Sequence, residues 1–290
     1  PRTPGGSSSG SGAAVADYHV PIAFGTQTAG SVHRPAAYCG IVGFKPGYDL
    51  YNLHGGRPAA QSLDTLGTLS RSIDDASLMM AVLVGRDYAP IPESTSPPRI
   101  AFCRTHLWDA AKPETVAARE DARERLSAAG AQIIDLDLPP AFAELTPARD
   151  IISSYERARA TLWEFTHHRD LLSPQLQKGI EKGLGWSFEQ YREAIAQGAR
   201  CRGLLAEAFA GFDAIITPAT EGEAPVGLET TGDHAFIGFW NLLHAPSFAL
   251  PTHRGPNNMP VALQLIGPYA GEDSLIAVAK WVTARLAADR

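Results

Sequence analysis

Cysteine is scarce in this 290-residue chain: Cys39, Cys103 and Cys201 are widely spaced and odd in number. That excludes a disulfide framework and any C-x-x-C metal or redox motif, and it predicts small buried thiols in a reducing compartment. Lysine is also scarce. The only five are Lys45, Lys112, Lys178, Lys182 and Lys280, and no run of basic residues forms a nucleic-acid footprint on a chain of net charge -6. No apolar run approaches the ~20 residues of a membrane span, and the N-terminus has no basic stretch leading into a hydrophobic one. The expectation is therefore a cytoplasmic protein that binds neither membrane nor nucleic acid. Its 44% hydrophobic content is ample for a core without metal or disulfide staples.

Small residues are plentiful and cluster. Pro4-Gly-Gly-Ser-Ser-Ser-Gly-Ser-Gly12 has the composition of a flexible linker, yet Ala13–Ala16 reads as a helix packed closely on a sheet and Val20–Phe24 as a buried strand. Gly25 to Pro35 reads as a polar loop closed by proline. Ile41–Phe44 is a short strand, Leu66–Leu69 leads into a helix capped by Ser72 with Asp75 at the third position, and that helix runs to Val84 and stops at Gly85. Pro92 to Pro98 is a linker. Arg99–Cys103, Pro113–Ala129 and Gln132–Leu136 then spell strand, helix, strand, a βαβ unit that implies a parallel or mixed sheet. Residues 148–209 are helical, Phe212–Pro218 a strand, Phe236–Leu243 a helix, Ser247–Pro251 and Val261–Ile266 strands, and Asp273–Ala288 a terminal helix. The fold class is α/β.

Two serines stand out by context: Ser7 follows Gly5-Gly6, and Ser31 follows Ala29-Gly30. Minimal side chains there let the backbone approach a ligand. A serine nucleophile needs a proton acceptor and N–H donors for the oxyanion, and the turn Thr28-Ala29-Gly30-Ser31 can supply consecutive backbone donors. No G-x-S-x-G elbow is present. His19, His33 and His54 have no partners in the sequence that would mark a base, and adjacent His167 and His168 point about 100° apart on a helix, too far for one metal.

These residues resemble the amidase signature hydrolases. The resemblance rests on Gly5-Gly-Ser-Ser-Ser-Gly-Ser11, Gly25-Thr-Gln-Thr-Ala-Gly-Ser31, Arg34-Pro-Ala-Ala-Tyr-Cys-Gly-Ile-Val-Gly-Phe-Lys-Pro46, Ser62-Leu-Asp-Thr-Leu-Gly67 with Arg71-Ser-Ile-Asp-Asp75, Phe212–Ala219 and Met259–Gly267. It overturns the linker reading of the first twelve residues. It implies one amidase domain over 1–290, a mixed β-sheet covered by helices on both faces, hydrolysis of a small-molecule carboxamide through an acyl-enzyme, and no cofactor. By motif position Ser31 resembles the nucleophile. Ser7 resembles a bridging serine preceded by a cis peptide, and Thr28, Ala29 and Gly30 the oxyanion-hole turn.

The family's third catalytic residue is a lysine upstream of the glycine-serine motif, and no lysine here precedes Ser7; Lys45 lies where the family has a lysine that is not its base. The expectation is that the chain lacks the family's N-terminal segment and alone turns over little or no amide. Gln27 and Ala29 also stand where the commonest pattern has an acidic residue and a glycine. The alternative readings are a non-catalytic amidase-fold paralogue and one component of a transfer-RNA amidotransferase, and homo-oligomerisation is open. The aromatic series from Tyr155 to Tyr191, with Trp163 and Trp186, reads as core or as acyl-pocket wall.

Overall fold

In the computed structural model, which describes residues 1–286, the chain runs α1 (Ser9–Ala16), β1 (Ile22–Gln27), α2 (His33–Cys39), β2 (Val42–Lys45), β3 (Thr65–Ser70) and α3 (Ile73–Leu83). A βαβ unit follows, β4 (Arg99–Cys103), α4 (Pro113–Ala128) and β5 (Gln132–Leu136). Four helices come next, α5 (Leu145–Ala160), α6 (Leu162–His167), α7 (Pro174–Leu184) and α8 (Phe188–Ala208). The chain closes with β6 (Ala214–Pro218), α9 (Ala235–Leu242), β7 (Ser247–Arg254), β8 (Pro260–Ile266) and α10 (Glu272–Leu286). The terminal helix expected to reach Ala288 is seen to Leu286, and Ala288 lies outside the described residues.

The eight strands form one sheet in the order β1-β3-β2-β7-β8-β6-β4-β5. β4 pairs in parallel with both β5 and β6, and the remaining pairs are antiparallel, so the sheet is mixed. Alternation along each strand splits the core in two. Ile100 and Phe102 of β4 and Ala214 and Ile216 of β6 join Met80, Leu126 and Trp281 under α3, α4 and α10. Ala101, Cys103 and Ile215 point the other way, to Ile152, Leu205 and Trp240 of α5, α8 and α9. Helices therefore cover both faces.

Two expectations need correction at the N-terminal end. The first strand is Ile22–Gln27 rather than Val20–Phe24, and the predicted loop 25–35 instead contains the end of β1 and the start of α2. Pro35 is the cause of the second difference. It sits in the first turn of α2, where its missing N–H costs nothing, and the helix is ended by Gly40 at φ +71°. Gly43 of β2 explains the close packing of that helix, because a Cβ there would lie 2.6 Å from the Ala36 Cβ. The Ser72 cap is as expected, its side chain accepting from the Asp75 N–H. Cys103 and Cys201 are buried, whereas Cys39 is half-buried, and all three are free.

Candidate active site

The first two glycine-serine segments, on either side of β1 in the chain, meet in space. The Gly6–Ser7 peptide is cis, and Gly5 has φ +83°. A side chain on Gly5 would lie 2.8 Å from the Pro35 Cα, so only glycine lets this segment pass over the start of α2. Arg34 then locks the arrangement. Its Nε and Nη2 donate to the Gly6 carbonyl at 3.0 and 2.6 Å, and its Nη1 donates to Gly232 O at 2.6 Å. The Ser8 N–H donates to the Ser31 carbonyl at 3.4 Å, which joins the first motif directly to the second. Ser7 is exposed and Ser31 half-buried.

The turn after β1 is held by side chains on both sides. Gln27, buried at the end of β1, accepts from the N–H groups of Val32 and His33 at 3.0 Å each. One oxygen accepts both bonds, so the amide here serves as a carboxylate would. Thr28 Oγ1 donates to Asp64 at 2.6 Å, and the other Asp64 oxygen accepts from the Ala59 and Ala60 N–H groups. Among the described residues, the N–H groups of Ala29, Gly30 and Ser31 donate to no acceptor of this chain. Ala29, a departure from the glycine of the commonest pattern, keeps its N–H. Gly30 cannot carry a side chain, since a Cβ would lie 2.9 Å from that of His234.

None of the five lysines reaches this turn. Lys45 is buried and donates to Pro46 O and Ala245 O at 2.8 and 2.7 Å, and burial brings its ammonium down to about 7. Lys112, Lys182 and Lys280 face Glu221, Asp150 and Asp74, and Lys178 is exposed. His33 is a core residue rather than a base, with Nδ1 3.1 Å from Gln264 Oε1 and Nε2 3.2 Å from Ser247 O. Among the described residues no cluster of three His, Cys, Asp or Glu side chains could hold a metal, and no helix is long and apolar enough to cross a membrane.

A cavity of about 740 Å³ lies under the 48–61 loop, lined by Tyr48, Tyr51, Arg57 and Asp64 among others. No residue of the Tyr155–Tyr191 series lines it. Trp163 is largely exposed against His167 and His168, and Trp186 donates to Ser154 Oγ at 3.0 Å. That helical layer still touches the cavity's frame, because Glu156 accepts from Ser62 N–H, Ser62 Oγ and Tyr191 Oη.

The Amidase family profile matches residues 1–276. The chain belongs to the amidase family. It is 31% identical over 306 residues to the 2-amino-5-chloromuconic acid deaminase of Comamonas testosteroni, across 98% of this chain and 64% of that protein's length. It is 30% identical over 323 residues to a glutamyl-tRNA(Gln) amidotransferase subunit of Clostridium botulinum, across 96% of this chain and 66% of the relative. A crystal structure of an amidase superposes with a TM-score of 0.89 at 32% identity, across 98% of this chain and 67% of the other. The chain thus spans about two thirds of the length of the relatives it matches.

Burial depresses three histidines of this chain, and the fold is expected to lose stability in acid. His33, His234 and His244 are each brought down to about 4, chiefly by burial; Lys45 adds to the effect at His33, Arg149 and Arg34 at His234, and Arg202 at His244. Above pH ~6.5 these rings are neutral in folded and unfolded chains alike, so they leave stability untouched. Between about 6.5 and 4 the unfolded chain takes up protons that the folded chain refuses, and stability falls as pH falls. The fully buried His33 alone gives a slope of about 1.4 kcal/mol per pH unit. Urea midpoints should hold from pH 7 to about 6.5 and then fall towards pH 4.5, and His33→Gln should make the fall shallower. A midpoint constant over that range would contradict the assignment.

Proposed function

We propose that this amidase hydrolyses a small-molecule carboxamide to an acid and ammonia or an amine, with Ser31 as nucleophile. The observation that carries the reading is the meeting of the Gly6–Ser7 segment with the turn Thr28–Ser31, whose Ala29, Gly30 and Ser31 N–H groups are uncommitted among the described residues. Ser31 Oγ attacks the carbonyl carbon. Its proton passes to Ser7 Oγ, while the Ser7 hydroxyl proton passes to a neutral lysine amine. The carbonyl oxygen, now negative, accepts hydrogen bonds from the backbone of Thr28, Ala29, Gly30 and Ser31. Collapse breaks the C–N bond, and the leaving nitrogen takes a proton back from the lysine through Ser7. Water then attacks the Ser31 ester by the same relay, releasing the acid and restoring the serine.

The lysine is proposed to come from outside these 290 residues. Among the described residues Lys45 is held by two carbonyls and Lys112, Lys182 and Lys280 face carboxylates, none of them bonded to Ser7 or Ser31, and the matched relatives have further length. One domain holds this machinery, and its three free thiols favour a reducing, cytoplasmic setting. The test is trapping: the product of the whole gene is mixed with a carboxamide, quenched in acid and digested. The peptide containing Ser31 is expected to carry the acyl mass, and hydroxylamine in the reaction is expected to yield the hydroxamate. Turnover with the acyl group on another residue, or on none, would overturn the reading.

A second reading follows from the likeness to amidotransferase components, in which this chain would act within an assembly. Partners co-purifying from the native source would favour it. Hydrolysis of simple amides by the lone chain would count against it.

A further inference from the structure

Asn241 is buried on α9, more than two hundred residues from the turn in sequence, and its whole donor capacity is spent on the backbone around that turn. Its two Nδ2 hydrogens serve three carbonyls, Leu63 O at 2.8 Å, Thr28 O at 2.9 Å and Gln27 O at 3.2 Å, so one of them is shared. The orientation of the amide is fixed by these partners, since the reverse would set Oδ1 against three carbonyl oxygens. Among the described residues Oδ1 instead meets no donor, and it is buried. An unpartnered buried acceptor is a cost, and it is tolerated here for the contacts on the other side of the amide.

The consequence concerns the direction of peptide planes. A carbonyl held on one side turns the N–H of the next residue to the opposite side, because the six atoms of a peptide are coplanar. Asn241 holds the carbonyls of Gln27 and Thr28, and the Thr28 carbonyl shares its plane with the Ala29 N–H. Gln27 meanwhile takes up the N–H groups of Val32 and His33. The two side-chain amides pin the turn at both ends, one through C=O groups and the other through N–H groups, and the donors of residues 29–31 between them stay free. α9 also sets the turn's height, through His234 and Ile237 against Gly30.

We infer that Asn241 is a positioning residue for the oxyanion turn, aiming the Ala29 N–H at the developing negative charge through its hold on the Thr28 carbonyl. This rests on the reading of Ser31 as nucleophile. Removing one oxyanion donor outright costs about 100- to 1000-fold in rate, and misaiming it costs less, about 10- to 100-fold. The effect belongs to the transition state, so KM should stay within about two-fold.

The experiment uses the product of the whole gene and two variants, Asn241→Asp, which keeps the volume and loses the donor, and Asn241→Ala. Steady-state rates per folded chain, with folding followed by circular dichroism, are measured beside affinities for an aldehyde analogue and for the unreactive ketone of the same acyl chain. The aldehyde forms a tetrahedral adduct on serine. The expected result is a kcat about 10- to 100-fold lower, a parallel loss of aldehyde affinity, and ketone affinity unchanged. Asn241→Asp should recover part of the loss as pH falls, when its protonated carboxyl regains a donor. Wild-type kcat, an equal loss for aldehyde and ketone, or unfolding of both variants would overturn the inference. Ser31→Ala, run alongside, separates the two readings. If it keeps turnover, the nucleophile assignment fails and the role of Asn241 fails with it; if it loses turnover while Asn241→Asp matches wild type, only the positioning role fails.

Discussion

Replacing Ser31 with alanine is expected to lower kcat by a factor on the order of 10⁵ to 10⁶ while leaving the melting temperature within about 1 °C. The two halves of that statement come from different observations. The first follows from the proposed covalent route, in which loss of Oγ leaves no ester to form and the donors of the turn can only assist direct attack by water. The second follows from contacts. Ser31 Oγ has no hydrogen bond among the described residues, and the fold is tied to this position through the Ser31 carbonyl, which alanine keeps. The measurement pairs initial rates on the best available amide with a thermal melt, in the product of the whole gene. A large fall in melting temperature would assign Ser31 to the framework, and a residual rate within about ten-fold of wild type would remove it from the mechanism.

Gly183→Ala is expected to destabilise the fold by about 3 kcal/mol and lower the melting temperature by about 6–10 °C. Helix α7 crosses α5 at Gly183 with no room to spare. A Cβ there would lie 2.6 Å from the Ser154 carbonyl carbon, closer still to its oxygen, and 2.8 Å from the Ala158 Cβ. The obstacle is backbone, so no rotamer change relieves it; the two helices must separate and open gaps along their contact. Gly179 on the same helix supplies the control. A Cβ there meets nothing within 4 Å, so Gly179→Ala should instead stabilise α7 by up to about 1 kcal/mol through helix propensity. A differential scan of the two variants reads both at once. Equal effects would mean that the α5–α7 contact is looser than these distances require.

The legible parts of this protein are those in which sequence neighbours make the structure. Arg99–Cys103 and Gln132–Leu136 are strands with the expected bounds, because each is a short apolar run beside a helix with its own start and stop signals. The Ser72 cap needs only a hydroxyl three residues before an N–H. The glycine-serine motifs stand out because glycine in such density marks close backbone approach, which Gly5 against Pro35 and Gly30 against His234 display. Helix α2 is not legible in the same way. Its proline gives the same local signal whether it closes a loop or sits in a first turn, and packing against Gly43 decides between them.

The sequence by itself determined the alternation of strands and helices, the two small-residue segments with Ser7 and Ser31 in them, and the scarcity of lysine. Each is a property of residue type at short spacing. Only the tertiary structure decided the strand order, the hold of Arg34 on the Gly6 carbonyl, the oxygen of Gln27 at the start of α2, and the amide of Asn241 against three carbonyls. An asparagine on a helix or an arginine in a loop looks like a solvated residue until the partner is known. For Arg34 and Asn241 the partners include backbone groups 28 and 214 residues away, and backbone groups carry no residue type for a sequence to display.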